Sequence, residues 1–354
     1  MVSMICISFI TPMIQAVTTR QTAMISYVEQ CKVGPGFGNT TRAKEPTLEA
    51  TFQALYILKA YNSLNMVNVN SLISWVNTCR KANHGFGNTN RSAADIVSTY
   101  YATWIFKLFN RQLDNRTDDW VAACQNKSTA FGETINATAT LIASYYGLEA
   151  LYLNNTNLKA YNISTWLLGR QNKNPSSDGF GGFATDGNSS NMWAAWAAIG
   201  SIKQLNLNGY LVEPLISWIN RSQNIINYDD DYGAFSNKPG DMDWSLLDTY
   251  TAIYCLKKLG NTYLGRIHLQ ATLDWLIDLQ NSDGGFRVNS IIADSSLSAT
   301  FYAFSILDLL DQENLLSTGV PWESPFALPL WAWVLIGIAI VIAAVFIIKK
   351  FYMD

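Results

Sequence analysis

The chain has 354 residues, 49% of them hydrophobic and only 14% charged, with 24 Lys+Arg against 27 Asp+Glu for a net charge of -3. Soluble domains average about 25% charge, so this surface is poor in ions and has no basic excess to neutralise a row of phosphates. A nucleic-acid binder is excluded on that ground, and the length allows two to three average domains or one large repeat domain.

Residues 1–16, MVSMICISFITPMIQA, have a short apolar centre and a small residue at Ala16, as a secretory signal does, but lack a positive n-region. The competing reading is a first helix packed on the fold. Residues 17–316 form a repeat. An aromatic after a Gly-rich turn recurs at Phe37, Phe86, Phe131, Phe183, Phe235 and Phe286, at intervals of 49, 45, 52, 52 and 51 residues. An amphipathic helix precedes each turn, marked by Tyr27, Trp75, Trp120, Trp166, Trp218 and Trp275. A second helix follows, rich in Ala, Ser, Thr and aromatics, such as NMWAAWAAIGSIKQL, as suits an inner layer crowded on both sides. The spacing therefore predicts an all-α fold, an α6/α6 toroid of six helix pairs, with an open solenoid as the alternative.

After a linker at 317–325, residues 326–348 carry no charge and are long enough to span a bilayer, with Trp331 and Trp333 toward one end. Lys349 and Lys350 begin a cytoplasmic tail at 349–354. The expected topology is single-pass type I in the cell membrane, with the toroid on the extracytoplasmic side. Asn-x-Ser/Thr sequons at Asn39, Asn90, Asn115, Asn126, Asn136, Asn154, Asn162, Asn188 and Asn220 are consistent with a surface glycoprotein. Cys31, Cys79 and Cys124 occupy one position in three consecutive repeats. That pattern allows a disulfide between neighbouring repeats or three small buried residues.

The order of outer helix, Gln-Asn-x-Asp-Gly-Gly-Phe turn and inner helix resembles the prenyltransferase/squalene-oxidase repeat. The best copies are Gln280-Asn281-Ser282-Asp283-Gly284-Gly285-Phe286 and Gln171-Asn172 through Phe183. The resemblance implies an α/α toroid with a central funnel, shared by protein prenyltransferases and terpene cyclases, without fixing the function. Prenyltransferases of this type hold zinc through Asp-x-Cys and a His. Here Asp241-Met242-Asp243 has no thiolate, and Asp294 to Thr300 contains no His. The chain has two His, His84 and His268, both in the outer-helix-to-turn half of a repeat. No zinc is expected. Terpene cyclases protonate an alkene with Asp-x-Asp-Asp; Asp241 and Asp243 supply two acids, Trp244 replaces the last, and Asp248 lies five residues beyond Asp243 on a different face.

Asp229, Asp230 and Asp231 could hold a divalent cation, Ca²⁺ or Mg²⁺, with help from Asp241 and Asp243, or could simply be solvated. No other cofactor is implied. Tyr100, Tyr101, Tyr145, Trp193, Trp196, Tyr250, Phe301 and Tyr302 lie early in inner helices and would line a central cavity suited to an apolar, isoprenoid-like ligand. The leading expectation is thus a membrane-anchored toroid that binds an apolar small molecule or a surface protein partner. The alternative is a cyclase-like or transferase-like enzyme using Asp241, Asp243 and Asp248. A structural coat component is a third reading.

Overall fold

A computed structural model describes residues 18–126, 130–185 and 189–320. Outer and inner helices alternate as α1 (Arg20–Gln30) and α2 (Leu48–Ala60), α3 (Val69–Thr78) and α4 (Ile96–Leu108), then α5 (Arg116–Ala123) and α6 (Leu141–Leu153). The series continues with α7 (Ser164–Leu168) and α8 (Met192–Gln204), α9 (Val212–Asn220) and α10 (Leu246–Leu259), and α11 (Leu269–Asp278) and α12 (Leu297–Leu310). The even-numbered helices pack on one another in order, and α12 packs on α2. The ring is closed, so the open solenoid is set aside.

The inner helices all start at one end of the ring. Leu48 N donates to Asn88 O, Ile96 N to Glu133 O, Met192 N to Asn237 O, Leu246 N to Val288 O, and Leu297 N to Asn39 O. These five starts are thereby tied to the loop before the next inner helix, and the last bond returns to the first repeat. Side-chain caps fix these starts: Thr47, Asp95, Thr140, Asn191, Ser245 and Ser296 each accept the N–H three residues on.

The six turn phenylalanines are fully buried, wedged between the layers. Five of them donate their backbone N–H to a hydroxyl one turn into the inner helix: Thr51, Thr99, Ser144, Thr249 and Thr300. In the fourth repeat Ala195 stands in that row, without a hydroxyl. Two small antiparallel hairpins complete the turns of the first and third repeats, β1 (Lys32–Val33) with β2 (Gly36–Phe37) and β3 (Gln125–Asn126) with β4 (Ala130–Phe131).

The repeat body runs past Leu316 into residues assigned above to a linker. Val320 N donates to Thr18 O and Arg20 N to Thr318 O, so both ends of the body meet at the start of α1. No helix among the described residues is long and apolar enough to cross a membrane. The 1–16 segment, the 326–348 run and Lys349 and Lys350 lie outside the described residues. Cys31, Cys79, Cys124 and Cys255 are all unpaired and buried, so a disulfide between repeats is corrected to the simpler arrangement. The first three are helix C-caps held inside their own repeats, and burial pushes the Cys31 thiol up to about 12.

Candidate functional site: an aromatic funnel with an acidic mouth

The second turn of every inner helix points aromatic side chains at the ring axis. Together they line one cavity: Phe52 from α2, Tyr100 and Tyr101 from α4, Tyr145 and Tyr146 from α6, Trp193 and Trp196 from α8, Tyr250 from α10, and Phe301 and Tyr302 from α12. All eight aromatics singled out from the sequence are brought together here. Phe52, Gln53, Tyr146, Leu247 and Thr251 complete the lining. Tyr146, adjoining Tyr145, belongs to the same expected aromatic set, and Phe52 could have been found by carrying that helix position into α2.

The rings brace one another. Tyr145 and Trp196 meet edge to face at 4.4 Å, Phe52 stacks on Tyr101 at 4.9 Å, and Trp193 stands perpendicular to Trp196 at 5.6 Å. Burial pushes the hydroxyls of Tyr100, Tyr101, Tyr145, Tyr250 and Tyr302 well above the usual tyrosine range, and that of Tyr146 to about 12. They stay neutral, able to donate or accept a hydrogen bond. The enclosed space is about 70 Å³, against about 300–1,000 Å³ for sites that enclose drug-sized ligands. This conformation admits the slender end of a chain, not a folded polyene.

Three half-buried carboxyls stand at the starts of inner helices: Glu49 in the first turn of α2 and Asp248 in that of α10, whose charges both reach Tyr302 of the lining, and Asp95 at the cap of α4, whose charge reaches Glu49. Burial raises Glu49 above the usual carboxylate range, assisted by the charge of Asp95, and burial raises Asp95 likewise. Asp248 is pushed up to about 6 by burial, with smaller contributions from Asp243 and Asp241. The Ser245 hydroxyl donates to its Oδ2 at 2.6 Å. Glu49 and Asp95 carry no motif in the sequence because each stands alone there, and only the packing of α2 on α4 brings them together.

The acids named from the sequence do not converge in the funnel. Asp241 and Asp243 lie on the loop before α10, with Asp243 exposed, while Asp248 turns back to Ser245. Asp231 is buried and fully engaged: Oδ1 accepts from Trp275 Nε1 and Ser290 N, and Oδ2 from Ser290 Oγ. Asp229 accepts from Asn224 Nδ2 and Asp231 N, shaping its own turn, and Asp230 is exposed. Among the described residues no group of three His, Cys, Asp or Glu is placed to hold a metal ion. The Asp229–Asp231 run reads as turn architecture. His84 sits in a turn at φ 72, and His268 caps α11 with Nδ1 3.1 Å from Tyr232 Oη.

Of the sequons, Asn39, Asn90, Asn115, Asn136 and Asn162 are exposed, and Asn126 and Asn220 are half-buried. The Asn154 amide nitrogen, the atom a glycan would take, donates to Asp118. Asn188 lies outside the described residues.

Comparison with known proteins agrees with this geometry. The profile described as the prenyltransferase alpha-alpha toroid domain matches residues 4–186 and 182–321, beginning inside the segment read as a signal. No curated protein sequence matches the chain. Among solved structures, the type II terpene cyclase MstE from Scytonema is similar with a TM-score of 0.56 at 12% identity, over 84% of this chain and 98% of that one. The Candida albicans protein geranylgeranyltransferase-I complexed with GGPP is similar with a TM-score of 0.43 at 16% identity, over 86% and 81%. At 12% identity the likeness to MstE speaks to fold alone, whereas the profile spans the repeat body. The chain belongs to the prenyltransferase α/α-toroid family.

Proposed function

We propose that this toroid is a binding protein that takes the slender apolar end of an isoprenoid-like or lipid-like ligand into its aromatic funnel, and that the 326–348 run anchors it to a membrane. The observation that carries the reading is the convergence of ten aromatic side chains from all six inner helices on one narrow cavity. The mouth refines the ligand's chemistry. The charges of Glu49 and Asp248 reach Tyr302 of the lining, that of Asp95 reaches Glu49, and the cavity lining contains no Lys or Arg. A diphosphate head would meet carboxyls there, so a neutral or cationic head suits the site better.

The test is titration of the intrinsic tryptophan fluorescence, to which Trp193 and Trp196 contribute among twelve tryptophans, with farnesylamine, farnesol and farnesyl diphosphate. The amine and alcohol are expected to bind at least tenfold more tightly than the diphosphate, and Trp196→Ala is expected to abolish the response. Tightest binding by the diphosphate, or no saturable response to any of the three, would sink the reading.

A second reading, acid catalysis of the cyclase kind, is favoured by the raised Asp248 carboxyl at the funnel mouth. Its weakness is acidity and geometry: the group is an acceptor for Ser245, and the cavity is too small to fold a polyene. Incubation with farnesol and geranylgeraniol followed by product analysis separates the two. Cyclised product lost in Asp248→Asn establishes the enzyme.

A further inference from the structure

Exposed large apolar side chains are concentrated in one place. Of the eight among the described residues, six belong to three loops at the inner-helix start end of the fifth and sixth repeats. They are Ile225 (62% exposed), Ile226 (37%), Tyr228 (89%), Met242 (75%), Ile291 (81%) and Ile292 (47%). The corresponding loops of the first, second and fourth repeats read NTTRAKEP, NTNRSAA and TDGNSSN, polar throughout or nearly so. The three apolar loops are also stitched together. Ser290 N and Oγ bond the two oxygens of Asp231, Asn289 Nδ2 donates to Trp244 O at 3.1 Å, and Leu246 N donates to Val288 O at 2.9 Å. Ile225 shares a surface groove with Pro239 and Gly240, next to Met242. The buried Asp231 that the metal reading singled out thus serves to hold Ser290, and with it Ile291 and Ile292, beside the Tyr228 turn.

Scattered exposed apolar side chains are ordinary, but a stitched cluster rimmed by charge marks an interaction surface. The rim is acidic in excess. Asp229, Asp230, Asp241, Asp243 and Asp294 lie on these loops with Lys238, while Arg221 and Arg266 line the groove beside Ile225, Arg266 being paired with Glu213. We infer that this face docks a partner protein through a segment that carries apolar anchors flanked by Lys or Arg. A second copy of this chain would bring one acidic rim against another, and an anionic membrane surface would be repelled in the same way.

The test uses the full-length detergent-solubilised chain and fluorescence anisotropy. The probe is a labelled amphipathic helix of leucine and lysine, set against the same peptide with glutamate for lysine. The basic peptide is expected to bind at least tenfold more tightly than the acidic one. Binding should weaken tenfold or more in the triple variant I225S/Y228S/I291S and in the quadruple variant D229N/D230N/D241N/D243N, and remain in I135S/Y152S, which alters the two exposed apolar residues elsewhere. None of the seven substituted loop side chains takes part in the stitching bonds, Asp229 alone bonding within its own turn, and circular dichroism checks that each variant is folded. Equal binding of both peptides, or binding unchanged in the triple variant, overturns the inference. So does a concentration-dependent dimer of the wild type that the triple variant dissolves, or binding to phosphatidylglycerol vesicles that it abolishes.

Discussion

The first three repeats and the last three close the same seam with different chemistry. In the last three a buried glutamine ends each outer helix. Gln171 Nε2 donates to Leu211 O, Gln223 Nε2 to His268 O, and Gln280 Nε2 to Arg20 O, each at the start of the next outer helix. The Gln171 and Gln223 side-chain oxygens accept the N–H of Leu211 and His268 in return, and Gln280 Oε1 accepts from Arg20 Nη1. At the same position the first repeats carry Lys32, Arg80 and Gln125. Lys32 Nζ reaches Met66 O, Arg80 pairs with Asp114 at 3.6 Å, and Gln125 Nε2 reaches Tyr161 O. The reach to the next outer helix is preserved while the residue type is not. A buried two-way amide gives a directional lock, whereas an exposed ammonium gives a single bond shared with water.

The comparison can be broken most sharply at the ring closure. Gln280→Ala removes two bonds between the last repeat and the first and a third to Gly284 O, leaving the Arg20 carbonyl buried without that donor. It should cost about 2–4 kcal/mol, read as a lowered denaturation midpoint. Lys32→Ala, at the equivalent exposed position, should cost under about 1 kcal/mol. Comparable losses at both sites would contradict the asymmetry.

Glycine separates the halves in the same way. Gly284 sits at φ +90 with an added Cβ only 2.1 Å from Ala23 O, so Gly284→Ala should cost about 3 kcal/mol from backbone strain and collision together. Gly209 has φ +94 and open space around it, and Gly209→Ala should cost about 1 kcal/mol. The second repeat tolerates His84 at φ 72 in the matching turn position, and His84→Gly is expected to stabilise by a few tenths to about 1 kcal/mol. Denaturant midpoints of the three variants order these effects.

A smaller effect distinguishes the two ends of the barrel. Burial raises Glu149, on α6, to about 7, opposed by the nearby charge of Lys258. A carboxyl whose folded pKa exceeds its ordinary value near 4.5 binds more protons folded than unfolded across that window. Stability should therefore rise as pH falls from about 7 toward 4.5, with Asp248 adding to the same trend below about 6. Glu149→Gln should raise stability at pH 8 and remove most of the upper part of the slope. A flat wild-type profile between pH 5 and 8 would contradict this assignment.

Much of the fold was legible because its signals repeat. The phenylalanine spacing and the small-residue inner helices identify six pairs, and the aromatics early in those helices identify the funnel lining. What stayed hidden depends on which way a side chain turns. Asp229, Asp230 and Asp231 look alike in sequence, yet one is buried under Trp275, one shapes its turn and one faces water. The carboxyls Glu49 and Asp95 are about 50 residues apart, so only the packing of α2 on α4 brings them within electrostatic reach of each other. The seam was partly visible: glutamine occupies it in four repeats, as Gln125, Gln171, Gln223 and Gln280, while Lys32 and Arg80 perform it without that letter. Exposure of Tyr228, Met242 and Ile291 had no sequence signal, since apolar residues in a mostly apolar chain suggest burial by default.

The central claim is that the funnel, rather than the outer surface, takes the apolar end of a ligand. It is tested most directly by photocrosslinking the full-length chain with a farnesol analogue that carries a diazirine at its distal isoprene, followed by peptide mapping. The account predicts labelling confined to the inner-helix segments around Tyr100, Tyr145, Trp193, Tyr250 and Phe301, competed by unlabelled farnesol. Labelling spread over outer helices, or unchanged by competitor, would contradict it.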